Sequence, residues 1–141
     1  MQCLQTNKFK ANNTLRAKGI CVAESIEIKR EEVLSESRMS EIAQIVKIPC
    51  FVKPNKGGSS LGVTRVEDTI HLREAIEFAF DTECPSVLIE SLLEGREFSV
   101  GVVPDEKGTP MVLPVTEIKS ENVFFDYAAK YEGRSQEITP A

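Results

Sequence analysis

The sequence is poor in the side chains that bind zinc. It contains one histidine, His71, and four cysteines, none of which forms a CxxC pair. The cysteines, Cys3, Cys21, Cys50 and Cys84, lie 18, 29 and 34 residues apart, whereas paired zinc ligands are roughly two to four residues apart. We therefore predict no zinc site, free and mostly buried thiols, and a histidine at the surface.

The sequence also lacks the segments that carry a chain into or across a membrane. No apolar run approaches the roughly 20 residues of a membrane span, and residues 1–8 lack the apolar core of a signal peptide. An acidic balance, with 22 acidic and 17 basic side chains and a net charge of -5, argues against nonspecific nucleic-acid binding. These features predict a cytoplasmic protein with neither membrane nor nucleic acid as a partner, and 141 residues suffice for one core.

Hydrophobic periodicity predicts three helices and a series of strands. The helices are a weak one over 8–18 that Gly19 would end, a short one containing Met39 and Val46 with Ser37 as its cap, and a strong one over 68–80. A polar connector covers 31–41. The first predicted strand ends near residue 28. The others cover 50–53, 61–66, 86–90, 97–103 and 111–118. Tight turns between consecutive strands favour an α+β fold, in which helices cover one side of an antiparallel sheet.

A glycine-rich turn over residues 52–63, VKPNKGGSSLGV, is the most informative stretch. Glycines let backbone N–H groups approach an anion, and the serines and lysines add donors and positive charge. It is not a Walker A loop, because Val63 stands where the lysine belongs and a strand follows. A phosphate cradle fits this composition, and so does a flexible hairpin tip.

Two further stretches combine polar and aromatic groups. In residues 89–98, Glu90 ends one predicted strand and Glu97 begins the next, so these carboxylates are either nucleotide ligands or solvated edge residues. Residues 124–131, FFDYAAKY, concentrate aromatic side chains in a polar tail. Exposed aromatics favour a partner surface, and a tail that docks in an apolar groove explains them equally well.

Taken in order, these segments resemble the D-alanine–D-alanine ligases of the ATP-grasp superfamily, over nearly the whole chain. The motifs that carry the resemblance are FVKP at 51–54, GSSLGV at 58–63, IE at 89–90, EGRE at 94–97, LPV at 113–115, FDY at 125–127 and AKY at 129–131. The resemblance implies an ATP-grasp central domain over residues 1–118. It also implies that 119–141 form a lid loop and the truncated start of the C-terminal catalytic domain.

The resemblance assigns the nucleotide contacts. Lys8 and Lys53 are similar to the two lysines that hold the phosphates, and Ser60 lies in the flap that closes over them. Glu90 resembles the residue that faces the adenine amino group. Backbone groups of Ser91 and Leu93 would lie on the adenine edge, and Glu97 resembles the carboxylate that binds the ribose.

The resemblance also implies a closing lid. Lys130 is similar to the loop lysine that reaches the phosphates, and Tyr131 to the loop tyrosine that hydrogen-bonds a serine, here Ser59. In this family ATP phosphorylates one D-alanine, and the amine of a second D-alanine attacks the acyl phosphate to give the dipeptide used in peptidoglycan. Such an enzyme needs ATP and Mg²⁺, and its metal ligands would lie beyond Ala141.

The implied protein is an ATP-dependent D-alanine–D-alanine ligase, with a homodimeric full-length enzyme and an inactive isolated fragment. Two alternatives remain at this point. Another ATP-grasp carboxylate–amine ligase would share the glycine-rich turn but differ in the loop around Tyr131. A noncatalytic nucleotide-binding module would retain the turn without the reaction.

Overall fold

The computed structural model describes residues 7–57, 60–120 and 135–140. The chain forms two compact units, Met1–Leu93 and Glu94–Ala141. The boundary expected near residue 118 was defined by function, since it separates an ATP-binding domain from a lid. The two units are defined by contacts within the chain, so the expected boundary stays a prediction.

The described residues of the first unit, 7–57 and 60–93, form three helices and a four-stranded sheet. In chain order its elements are α1 (Lys8–Ala17), β1 (Ser25–Lys29), α2 (Glu36–Val46), β2 (Cys50–Pro54), β3 (Thr64–Val66), a 3-10 turn (Thr69–His71), α3 (Leu72–Phe80) and β4 (Ser86–Ser91). The strand order is β1-β4-β2-β3, and every neighbouring pair is antiparallel. This confirms the predicted antiparallel arrangement.

The two faces of this sheet differ in character. Ile26 of β1 and Val52 of β2 both lie opposite Ile89 of β4, so these apolar side chains share one face. They join a buried core with apolar residues of α2 and α3, namely Met39, Ile42, Val46, Leu72, Ala75, Ile76 and Ala79. The alternate positions, including Lys53 and Glu90, project from the opposite face.

Helix boundaries follow capping side chains. Helix α1 ends where predicted, with Gly19 at a φ of 78° just beyond it. Helix α2 begins at Glu36 inside the expected connector, and Ser35 rather than Ser37 is its cap, so that prediction was wrong. Ser35 is the cap because its Oγ accepts the backbone N–H of Arg38 at 3.2 Å. That N–H lies in the first turn and has no partner within the helix.

The glycine-rich turn shortens the strand that follows it. The predicted strand over 61–66 is regular only over Thr64–Val66. Ser60 and Gly62 have φ values of 58° and 68°, which belong to a turn and not to a strand. The helix predicted over 68–80 begins as the 3-10 turn, and Asp68 Oδ1 accepts the N–H of Ile70 at 3.1 Å.

The second unit contains only strands among its described residues. They are β5 (Glu97–Ser99), β6 (Val102–Pro104), β7 (Pro110–Val112), β8 (Thr116–Ser120) and β9 (Ser135–Ile138). They form a three-stranded sheet, β5-β8-β9, and a β6-β7 hairpin. The predicted strands 97–103 and 111–118 are therefore each divided in two. The first is divided because β5 pairs with β8 whereas β6 pairs with β7.

Candidate functional site

A pocket of about 150 Å³ lies beside the glycine-rich turn in the first unit. It collects residues from the start of α1, the end of β2, the turn itself and the segment after α3. Its lining residues are Lys8, Pro54, Lys56, Gly57, Ser60, Leu61, Val63 and Thr82. Two lysines and two hydroxyl side chains thus surround a cavity of the size of a few small polar groups, which suits an anion.

Lys8 is held firmly at this pocket. Its Nζ donates to the backbone carbonyls of Pro54 at 2.8 Å and Gly57 at 3.1 Å. An ammonium has three N–H groups, so one remains for a ligand oxygen. Burial lowers the pKa of Lys8, and repulsion from Lys53 lowers that pKa further. The two lysines are therefore close enough to sense each other's charge.

Lys53 forms an ion pair with Glu90 across the polar face of the sheet. Their side chains are only 21% and 17% exposed, so the pair is partly shielded from water. Asn12 of α1 completes the group, because its Nδ2 donates to the second carboxylate oxygen of Glu90 at 3.4 Å. The structure thus brings Lys8, Lys53 and Glu90 together, and their role as nucleotide ligands stays a prediction.

The remaining described residues of the predicted site occupy strand ends. Ser91 ends β4, and its N–H donates to the carbonyl of Glu24 at 2.9 Å. Leu93 is 64% exposed at the end of the first unit. Glu97 is exposed and begins β5 in the second unit.

Three predicted site residues, Ser59, Lys130 and Tyr131, lie outside the described residues. The aromatic run over 124–131 lies there too. Their roles therefore stay predictions.

The other sequence expectations concern metals, thiols and membranes. Within residues 7–57, 60–120 and 135–140, no three His, Cys, Asp or Glu side chains are grouped closely enough to hold a metal ion. Cys50 and Cys84 are free and buried, whereas Cys21 is free but exposed. No helix in the described part of the chain is long and apolar enough to cross a membrane.

Comparison with known protein families identifies the family of this chain. A family model described as the D-ala D-ala ligase C-terminus matches residues 14–141. The chain belongs to the D-alanine–D-alanine ligase family. This confirms the resemblance seen in the sequence motifs, and the ATP-grasp fold that it implied.

Individual relatives agree with this assignment. The D-alanine–D-alanine ligase of Flavobacterium johnsoniae is 49% identical over 138 residues, which are 98% of this chain and 41% of that protein. Among solved structures, the VanG D-Ala:D-Ser ligase of Enterococcus faecalis has a TM-score of 0.78 at 33% identity, over 98% of this chain and 39% of that one. A D-alanine–D-alanine ligase of Bacillus anthracis complexed with ATP has a TM-score of 0.67 at 26% identity, over 94% of this chain and 38% of that one. The chain therefore spans about 40% of the length of these relatives.

Sequence reasoning missed three residues of the site. Asn12 follows Lys8 by four positions on a predicted helix, which places the two on one face, so its spacing was a usable signal. Asn55 lies inside the glycine-rich motif, but the composition of that motif did not reveal that Asn55 accepts the N–H groups of Lys8 and Phe9. Thr82 follows α3 and reaches the pocket only through the fold, so no local pattern indicates it.

Proposed function

We propose that the first unit binds ATP and that this chain is the ATP-binding part of a D-alanine–D-alanine ligase. The observation that carries the proposal is the group formed by Lys8, Lys53 and Glu90 beside the glycine-rich pocket. Membership of the ligase family supports the reaction class. A related structure was solved with ATP, which supports the nucleotide.

In this proposal the pocket receives the phosphates. Lys8 is already oriented by two carbonyls and keeps one N–H for a phosphate oxygen. Lys53 would exchange Glu90 for a phosphate, and Lys56 and Ser60 line the same pocket. Fixed positive charge of this kind stabilises the negative charge that develops on a transferred phosphoryl group.

The adenine would lie near the end of β4. Glu90 accepts from Asn12, and a carboxylate oxygen can equally accept from the adenine amino group. Ser91 would accept through its carbonyl, because its N–H is already bonded, and Leu93 would donate through its backbone. Glu97 is the proposed ribose ligand.

Further parts of the proposal follow from the family. Lys130 and Tyr131 would belong to the closing lid, and Ser59 would be the serine that hydrogen-bonds the lid tyrosine. Residues 119–141 would form the lid loop and the start of the C-terminal catalytic domain. D-alanine would be the second substrate and Mg²⁺ the metal. The described residues contain no group of three His, Cys, Asp or Glu side chains that could hold the metal ion. The full-length enzyme would be a homodimer in the cytoplasm.

Calorimetry with ATP and with adenosine tests the nucleotide site. Lys53→Ala should weaken ATP binding by about threefold to tenfold, because a phosphate that reaches Lys53 replaces the Glu90 carboxylate and contributes only the difference between two charged interactions. Adenosine, which has no phosphate, should bind almost as before. Lys10→Ala is the matched control, because it removes the same charge from an exposed position on α1, two residues from Lys8 and therefore on another face.

Two outcomes would refute the proposal. An equal loss of ATP and adenosine affinity in Lys53→Ala would mean that Lys53 contacts no phosphate. An equal loss of ATP affinity in Lys10→Ala would mean that only net charge matters. Circular dichroism of each variant establishes that the fold is retained.

A further inference from the structure

Asn55 is a fully buried polar residue at the end of β2. Its Nδ2 donates to Glu27 Oε1 at 2.6 Å and to Ser86 Oγ at 3.1 Å, and its Oδ1 accepts the N–H of Phe9 at 2.9 Å. Its backbone N–H donates to the carbonyl of Ser86 at 3.0 Å, and its carbonyl accepts the N–H of Lys8 at 3.1 Å. Every hydrogen-bonding group of this residue is therefore used.

These contacts anchor the first turn of α1. The backbone N–H groups of Lys8 and Phe9 both donate to Asn55, and the N–H of Lys10 donates to Asn7 Oδ1 at 2.8 Å. No residue of α1 is buried, so apolar packing contributes little to its position. A helix without a buried face depends on such polar contacts for its placement.

The anchor of Asn55 is itself fixed. Glu27 lies on β1 and Ser86 on β4, and Ser86 Oγ donates to the same Glu27 oxygen at 2.7 Å. A fully satisfied buried network of this kind holds one geometry rigidly. Position is thus transmitted from two sheet strands through Asn55 to the first turn of α1, because its side chain holds the N–H of Phe9 and its backbone carbonyl holds the N–H of Lys8.

We propose that Asn55 is a positioning residue that holds Lys8 at the nucleotide pocket. The inference rests on the proposed function, in which Lys8 binds a phosphate. Asn55 fixes the backbone of Lys8 from one side, while the carbonyls of Pro54 and Gly57 orient its ammonium from the other. Asparagine suits this place because it donates toward a carboxylate and accepts from a backbone N–H at once. Aspartate would present a second carboxylate to Glu27.

A double-mutant cycle with Lys8 tests whether Asn55 acts through that lysine. The measured quantity is the ratio of ATP affinity to adenosine affinity. Asn55→Ala should lower this ratio about tenfold, and should lower it no further when Lys8→Ala is already present. Asn7→Ala is the control, because it also removes a bond from the first turn of α1 but leaves Asn55 in place. It should leave the ratio within about twofold.

Two results of this cycle would overturn the inference. Losses that multiply in the double variant would show that Asn55 acts independently of Lys8. The same loss in Asn7→Ala would show that any fraying of α1 has the effect. Ser86→Ala provides a milder variant if Asn55→Ala does not fold, because it removes one acceptor of Asn55 and keeps the bond to Phe9. It should lower the ratio in the same direction by a smaller factor, and an unchanged ratio would count against the inference.

A measurement without nucleotide separates this inference from the proposed function. Titration of Lys8 by NMR, in protein with isotope-labelled lysine, reports whether the ammonium is still held in place. Burial lowers its pKa below the ordinary 10.5, repulsion from Lys53 lowers that pKa further, and attraction to Glu90 opposes the shift. In Asn55→Ala this pKa should rise toward the ordinary value, and in Asn7→Ala it should not move.

An unchanged Lys8 pKa in Asn55→Ala overturns the inference, whatever the nucleotide data are. If that pKa rises but Lys8→Ala leaves the ATP-to-adenosine ratio unchanged, the proposed phosphate role fails and Asn55 still positions Lys8.

Discussion

Replacing Gly62 with alanine should destabilise the first unit, for two separable reasons. The φ of Gly62 is 68°, a left-handed conformation that costs an L-residue about 1–2 kcal/mol. A Cβ at this position would also lie 2.7 Å from Thr82 Cγ2 and 3.1 Å from Pro54 Cγ. Crowding of this degree adds about 1–3 kcal/mol, and the smaller entropy of unfolded alanine returns about 0.4–1 kcal/mol. The expected loss is about 2–4 kcal/mol.

Gly19→Ala is the matched control for the backbone term. Gly19 has a similar φ of 78°, but no atom lies within 4 Å of the place that a Cβ would occupy there, so its loss should be only about 1 kcal/mol. Thr82→Ser removes the crowding methyl and keeps the hydroxyl that donates to the Ala79 carbonyl at 2.8 Å. Combined with Gly62→Ala, it should restore part of the stability measured by chemical denaturation. Equal losses for the two glycine variants, or no recovery with Thr82→Ser, would refute the crowding argument.

Three other predictions concern single side chains. Arg96 donates to Glu117 at 2.8 Å and lowers its pKa, so the pair stabilises the fold above pH 4.5 and that contribution is lost as the pH falls through the lowered pKa. NMR titration of Arg96→Gln should show the Glu117 pKa rising, and no rise would refute the pairing. Burial raises the pKa of Cys50 to about 11, so mass spectrometry at pH 8 should find it alkylated far more slowly than exposed Cys21, and equal rates would contradict this. Ile76→Ala should cost about 2–5 kcal/mol in denaturant titration, because Ile76 is fully buried, and a loss below about 1 kcal/mol would be too small for a core site.

Local patterns predicted those elements whose stability is mainly local or whose apolar face is continuous. Helix α3 carries a strong apolar stripe, and β2 alternates between buried and half-buried side chains, so periodicity alone located both. The division of the strand predicted over 97–103 was not predictable, because it depends on β5 pairing with β8 while β6 pairs with β7. The early start of α2 depended on which of two nearby serines takes the cap.

The candidate site shows the same division between local and distant information. The family resemblance implied that Lys53 and Glu90 are ligands, yet nothing in the motifs indicated that the two residues bond each other, since that requires β2 and β4 to be neighbours in the sheet. Asn55 was hidden for a related reason. Its partners, Phe9, Glu27 and Ser86, come from three other elements, and each of those contacts exists only after the sheet has formed.

The ion pair between Lys53 and Glu90 determines how binding energy should divide between the parts of a nucleotide. In the ligand-free protein each charge already has a partner, so a phosphate that reaches Lys53 replaces a carboxylate and does not fill an empty position. The gain from that contact is a difference between two charged interactions, and it is smaller than either. Glu90 loses Lys53 in the exchange but keeps Asn12, and its remaining lone pairs can accept from the adenine amino group whether or not Lys53 is bound. Adenosine brings no phosphate and leaves the ion pair intact. Discrimination between ATP and adenosine should therefore depend on the lysines, whereas recognition of adenine depends on Glu90.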